Sequence, residues 1–279
     1  DEYLEKGLAL HDAWRGHDRI STVFAPHAPY TVSDAPLKKI RTYADEMDLR
    51  VHMHVHETAF EVTDAEQKNG QRPLARLHEL GLLTPNFLAV HMTQLSDDEI
   101  ALCARNGVHV LHSPESNLKL ASGLCPVQKL IDAGINVALG TDGAASNNDL
   151  DMIGEMRTAA FIGKIAADDA AAVSADTVLR MATIGGAEAL GIAETTGSIE
   201  PGKMADLCAI DLDALETQPV FDPIAALVYN VSREQVSDTW VAGQRLLADR
   251  QLTTLDEADI KARAIAWQHK LAAHSKDAS

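Results

Sequence analysis

The sequence holds 279 residues, 46% of them hydrophobic, enough for one large domain with an appendage. A formal net charge of −17 argues against nucleic acid or an anionic membrane as partner, since both call for basic patches, and no apolar run approaches the length of a membrane span. The three cysteines, Cys103, Cys125 and Cys208, are odd in number and widely spaced, which argues against a disulfide framework and suits a reducing, cytoplasmic compartment.

Leu4, Leu8 and Trp14 give the opening residues helical periodicity. Thr22-Val-Phe-Ala-Pro26 reads as a strand, followed by a helix from about Ser33 to Met47. In Arg50-Val-His-Met-His-Val-His-Glu-Thr58, alternation puts His52, His54 and His56 on one strand face and Val51, Met53 and Val55 on the other, with Glu57 just beyond. Burying three neutral imidazoles requires a partner for each ring nitrogen, and a metal is the commonest dense solution. Three further apolar runs, Phe87-Leu-Ala-Val-His91, His109-Val-Leu-His-Ser-Pro114 and Val137-Ala-Leu-Gly-Thr-Asp-Gly143, read as buried parallel strands that stop at polar residues. Between them, Ser96-x-x-Glu99 is a capping box, Gly107 and Gly134 follow helices as stops, and Pro126 opens a helix. Five βα units, spaced by roughly 20 to 40 residues, predict a parallel α/β protein. His27, His54, His91, His112 and Asp142 fall at strand C-termini, where a (β/α)₈ barrel keeps its catalytic groups.

Beyond Asp142, Ser174 to Thr183 reads as a capped helix and Gly185 to Gly191 as a short one ended by glycine. The period then falls to two. Pro201-Gly202 turns into a strand ending near Ile210, and Val236 to Leu247 forms a hairpin turning at Ala242-Gly243. Thr254-x-x-Glu257 is the expected cap of a last helix to about Ala273, with Ser275 to Ser279 as a frayed tail.

The strings Ala25-Pro-His-Ala-Pro-Tyr-Thr-Val-Ser-Asp34, His54-Val-His-Glu-Thr58, Ala89-Val-His-Met-Thr-Gln94, His112-Ser-Pro-Glu-Ser-Asn-Leu-Lys-Leu120 and Gly140-Thr-Asp-Gly-Ala-Ala-Ser-Asn-Asn-Asp-Leu150 resemble the amidohydrolase superfamily. Within it they are most similar to the 5-methylthioadenosine/S-adenosylhomocysteine deaminases, in the branch that includes triazine hydrolases. The resemblance implies the last five βα units of a TIM-type barrel over residues 1–195, the C-terminal half of a small β-sandwich over 196–249, and a C-terminal helix and tail over 250–279. Such enzymes carry a His-x-His pair on their first barrel strand, whereas this chain reads as starting inside the helix before strand four, so that pair is expected upstream. Taking His52-Met-His54 as the pair would leave too few strands before His91 and Asp142.

For the site, the resemblance implies His54 and Asp142 as metal ligands. Asp142 would also take the proton of the attacking water, and Glu57 would carry a proton to the ring nitrogen. His91 would orient the attacking hydroxide or stabilise developing charge, and His27 would contact the purine or ribose. Catalysis thus falls to Glu57, His91 and Asp142, and substrate binding to His27, Glu57 and His91. Binuclear relatives bridge two ions with a lysine that Phe24 to Tyr30 does not offer, so the resemblance implies one divalent metal; nitrogen plus carboxylate ligands suit zinc, and iron, manganese or nickel can occupy such sites. The implied reaction is hydrolytic deamination of an adenosine-type nucleoside, with a homo-oligomer implied by the resemblance alone. The alternatives are an aminohydrolase or chlorohydrolase of another heterocycle (guanine, cytosine, an s-triazine) and a non-catalytic relative. His52 and His56 are expected to be supporting or structural residues rather than metal ligands, and His112 either lines the pocket or belongs to the core. Ser116 to Leu120 is expected as a pocket loop, Asn117 being its best polar candidate, and Asp149 and Asp151 as residues that order the loop after the last strand.

Overall fold

The computed structural model describes residues 2–277. β1 (Val51–Val55), β2 (Phe87–His91), β3 (His109–His112) and β4 (Val137–Leu139) form a parallel sheet in that order. Neighbours in the sheet are neighbours in sequence, as short crossovers require. The register pairs Val55 with His91, Val90 with Leu111 and His112 with Leu139, so the strand ends are level and deliver their polar residues to one edge. All five residues of β2 are buried, which explains its unbroken apolar run, while β1 alternates buried and half-buried positions.

Thr22 to Pro26 does not form the full strand expected there. Phe24 alone bridges Val51, through hydrogen bonds from Phe24 N–H to the Arg50 carbonyl and from His52 N–H to the Phe24 carbonyl. Pro26 has no N–H for a further rung.

The helices are α1 (Glu2–Trp14), α2 (Asp34–Met47), α3 (Ala59–Asn69), α4 (Pro73–Glu79), α5 (Asp97–Asn106), α6 (Pro114–Lys119), α7 (Val127–Asp132), α8 (Met152–Ala167), α9 (Ala175–Ala182), α10 (Ile184–Leu190), α11 (Pro223–Tyr229) and α12 (Glu257–Asp277). Their punctuation follows capping chemistry. Ser96 and Glu99 close a capping box at α5, Gly107 ends that helix in the left-handed region, and the Ser174 hydroxyl accepts the Thr177 N–H at α9. Two expectations are corrected. Ser116 to Lys119 lies in α6 instead of a loop, because Pro114 occupies the first helical turn, where its missing N–H costs nothing. At α12 the cap is Asp256, not Thr254, since its carboxylate accepts the N–H groups of Ala258 and Asp259. That helix continues to Asp277, and Ala278 and Ser279 of the expected tail lie outside the described residues.

Leu37, Met53, Leu74, Leu77, Phe87 and Leu130 are fully buried in one hydrophobic core. Phe87→Ala is expected to cost about 3–5 kcal/mol, from lost transfer energy plus a cavity at the start of β2. A fall in the urea midpoint at constant m would register it, and a loss below about 1 kcal/mol would mean that the site collapses around the gap.

A second sheet, antiparallel and in sequence order, comprises β5 (Leu207–Ile210), β6 (Val236–Val241), β7 (Gln244–Ala248) and β8 (Gln251–Leu252). Ala242 and Gly243 both have positive φ, 49° and 78°, the geometry that suits a two-residue hairpin turn to strand twist. Among the described residues no helix is long and apolar enough to cross a membrane.

Candidate active site

His54 stands on the half-buried face of β1. Its Nδ1 lies 2.9 Å from the His27 carbonyl, and because a carbonyl only accepts, Nδ1 carries a proton, so that in the neutral ring it is Nε2 that offers a lone pair. The ring stacks on His91 at 5.3 Å between centroids and meets His27 edge-on at 5.2 Å. His27 is itself held by Thr31, with Nδ1 3.0 Å from Oγ1.

His91 ends β2, where it and Met92 take left-handed backbone angles, φ 74° and 52°, and stop the strand. Its Nδ1 is 2.8 Å from Asn117 Oδ1 on α6, which places the proton on Nδ1 and leaves Nε2 unprotonated, 3.8 Å from Glu57 Oε2. Burial lowers the pKa of His91, although Glu57 and Asn117 pull the other way.

The Glu57 main chain is fixed without help from its own carboxylate. Its N–H donates to Glu61 Oε2 at 2.8 Å, and its carbonyl accepts from Thr93 Oγ1 at 2.7 Å. The carboxylate receives the Ser122 hydroxyl at 3.3 Å. The chain after Ser122 comes this close only through glycine: Gly123 has φ 137°, and a Cβ there would sit 2.5 Å from Gln94 Nε2 and 2.8 Å from Thr93 Oγ1.

Asp142, three residues past β4, has φ 61°, a conformation that Asp tolerates better than most residues. Its Oδ2 accepts the hydroxyls of Ser116 and Ser146, both at 2.7 Å, and its Oδ1 accepts the Gly143 N–H at 2.8 Å. Burial alone would raise its pKa, but these three hydrogen bonds outweigh that and hold the carboxyl below its ordinary range.

The structure thus gathers His27, His54, Glu57 and His91 at the β1–β2 edge, and the charge of Asp142 reaches His91 and His52. His56 departs from the predicted face. β1 ends at Val55, φ 52° at His56 turns the ring inward, and its Nε2 accepts the Leu74 N–H at 3.2 Å. His56 is therefore structural. His112 is fully buried with neither ring nitrogen hydrogen-bonded, and burial pushes its pKa down to about 3, so it is a neutral core imidazole. Asp151 caps α8 by accepting the Ile153 N–H, and Asp149 lies 3.5 Å from Arg233 Nη1. Ser116 and Ser146, which hold Asp142, carry no signal beyond lying in polar runs beside the strand ends.

Among the described residues no group of three or more His, Cys, Asp and Glu side chains converges on one point. Two donors still have the form a divalent ion needs. A ligating histidine characteristically ties its other nitrogen to a carbonyl or carboxylate, as His54 does, and Asp142 is held ionised.

Imidazoles and a carboxylate at the ends of successive parallel strands define an α/β protein with its chemistry at the carboxyl edge of the sheet. The chain belongs to the amidohydrolase family, whose model matches residues 2–246. It is 54% identical over 273 residues to a 5-methylthioadenosine/S-adenosylhomocysteine deaminase of Teredinibacter turnerae, covering 98% of this chain and 62% of that one. With the enzyme of that name from Haloarcula marismortui it shares 48% identity, over 95% of this chain and 60% of the other. Among solved structures, an adenosine deaminase from Xanthomonas campestris with bound zinc superposes at TM-score 0.96 and 54% identity, covering 98% of this chain and 62% of that chain. Atrazine chlorohydrolase from Arthrobacter aurescens, complexed with zinc, superposes at 0.87 and 28% identity, over 94% and 59%. The chain spans about three fifths of the length of the relatives it matches.

Proposed function

We propose that this site serves the hydrolytic deamination of adenosine-type nucleosides, 5-methylthioadenosine and S-adenosylhomocysteine, to their inosine analogues with release of ammonia. The observation that carries this is the pairing of Glu57 with a neutral His91 at 3.8 Å, beside a His54 whose Nε2 is free to ligate. Likeness to relatives of that name supports the substrate class. The parallel sheet is then part of a (β/α)₈ barrel over residues 1–195, with a β-sandwich portion over 196–249 and the last helix and tail over 250–279. The family resemblance extends this to a cytoplasmic homo-oligomer with a small-molecule substrate.

One zinc ion would be held by His54 and Asp142 together with the His-x-His pair that the resemblance implies. Bound there, it supplies Lewis-acid activation of water at neutral pH. The remaining work belongs to side chains. His91 accepts the O–H of the attacking water at Nε2, an orientation set by Asn117 on the far side of the ring. Asp142 takes one proton from that water as oxygen bonds to the carbon bearing the amino group. Glu57, a carboxylate at rest, takes the other proton of that water and passes it to the adjacent ring nitrogen, which makes that carbon electrophilic. Ammonia leaves with the proton held by Asp142, and the oxygen stays on the ring carbon as the carbonyl of the product. His27 positions the purine or ribose.

In the intact zinc-loaded protein, the two thioether nucleosides are expected to show far higher kcat/KM than guanine, cytosine or melamine. The absorbance shift from adenine to hypoxanthine reports this directly. A free base or triazine that outran every adenosine derivative would move the assignment to the second reading, a hydrolase of another heterocycle, which the likeness to atrazine chlorohydrolase favours. No turnover of any of them would leave a non-catalytic relative.

A further inference from the structure

We propose that Glu155 is a positioning residue for Asp142, acting as a buried clamp between the start of α6 and the loop that follows β4. The assignment rests on Asp142 being the ligand and base proposed above. Glu155 lies in the first turn of α8 and is completely buried. Its two oxygens reach two different segments. Oε1 accepts from Asn147 Nδ2 at 2.5 Å, and Oε2 accepts the backbone N–H of Glu115 at 3.3 Å. Each of those residues is the sequence neighbour of a serine that holds Asp142. Asn147 follows Ser146, Glu115 precedes Ser116, and both serine hydroxyls converge on Asp142 Oδ2 at 2.7 Å. The Asn147 N–H also closes a turn onto the Gly143 carbonyl at 2.8 Å, so movement of Asn147 carries Ser146 with it.

The chemistry argues against simple packing. A carboxyl group inside a protein is costly without a cation, and α6 could meet α8 through apolar side chains at lower cost. Burial and the nearby Glu115 push the pKa of Glu155 up to about 8, so near neutral pH it is a largely uncharged acid that still accepts both N–H groups. Glu115 shares the Asn147 amide at 3.3 Å but is also engaged by the Thr158 hydroxyl at 2.9 Å. On the solvent side Lys119 makes a second tie from α6 to the same loop, donating to the Ala145 carbonyl at 2.9 Å and to Asn148 Oδ1 at 2.6 Å. The two segments that orient Asp142 are therefore fastened at two points, one buried and one exposed.

The test uses the intact protein and zinc, with affinity read by chelator competition, kcat and KM by ammonia release, and folding by thermal melting. Glu155→Ala is expected to weaken zinc by about 10- to 100-fold, the usual cost of losing a partner that supports a metal ligand, and to lower kcat with KM little changed. Glu155→Gln keeps one accepting oxygen, enough for Asn147 but not also for the Glu115 N–H, and should restore only part of both. Asn147→Ala should mimic Glu155→Ala, and the double variant should be little worse than either single one, because one linkage is being cut twice. Wild-type zinc affinity in Glu155→Ala, with only a lower melting temperature, would overturn the assignment. If Glu155→Ala does not fold, wild-type zinc affinity and kcat in Asn147→Ala would overturn it equally. A wild-type protein that binds no zinc and deaminates nothing would instead defeat the role of Asp142, and this assignment with it.

Discussion

Asp142→Asn is expected to strip the intact protein of its zinc and its turnover together. Asparagine matches the shape of aspartate and tolerates φ 61°, so the backbone past β4 keeps its course while the charge and one of the two accepting oxygens are lost. That charge has two proposed tasks, ligation and proton acceptance, and the hydrogen bonds from Ser116, Ser146 and Gly143 prepare it for both by keeping the carboxyl ionised. Zinc affinity should fall by more than the roughly 10- to 100-fold typical of a supporting partner. The rate should fall by about 10⁴-fold or more, since loss of a general base alone removes up to that factor. Asp142→Ala should show the same loss with added backbone strain, because alanine lacks the local tolerance for a left-handed angle. Metal analysis after desalting, paired with ammonia release, decides the matter. Stoichiometric zinc in Asp142→Asn would remove Asp142 from the ligand set.

What the sequence made legible follows the range of the interactions concerned. Phe87 to His91 declares a buried strand by composition alone, and Ser96-x-x-Glu99 declares a helix start, because both are settled within a few residues. Chain order and level register then bring His54, His91 and Asp142 to one edge. Alternation failed at His56 because it cannot say where a strand stops. The stop is a positive φ beyond Val55, with Nε2 of the ring taking up the Leu74 N–H, eighteen residues on. α6 could have been found, since Ser113-Pro114-Glu115 has proline where a first turn accepts it. The supporting partners could not. Asn117 to His91, Ser116 to Asp142 and Glu155 to Glu115 join residues 26, 26 and 40 positions apart, and nothing local in a serine or glutamate announces its distant partner.

Glu57→Gln should separate proton transfer from metal binding in the same fold. The Glu57 main chain is held by Glu61 and Thr93, and glutamine can still meet the Ser122 hydroxyl, so neither folding nor zinc content should change. Glutamine, however, cannot take a proton from the attacking water and pass it to the ring nitrogen. A fall in kcat of about 10²- to 10⁴-fold with KM nearly unchanged is therefore expected, the pattern of an interaction made only in the transition state. The variant also removes a charge that opposes burial at His91, which keeps that ring neutral and its Nε2 able to orient water. Lost turnover would then be chargeable to the missing proton alone. If Glu57→Gln turned over at near the wild-type rate, the proton would have to come from elsewhere, and the 3.8 Å pairing with His91 would be a structural contact only.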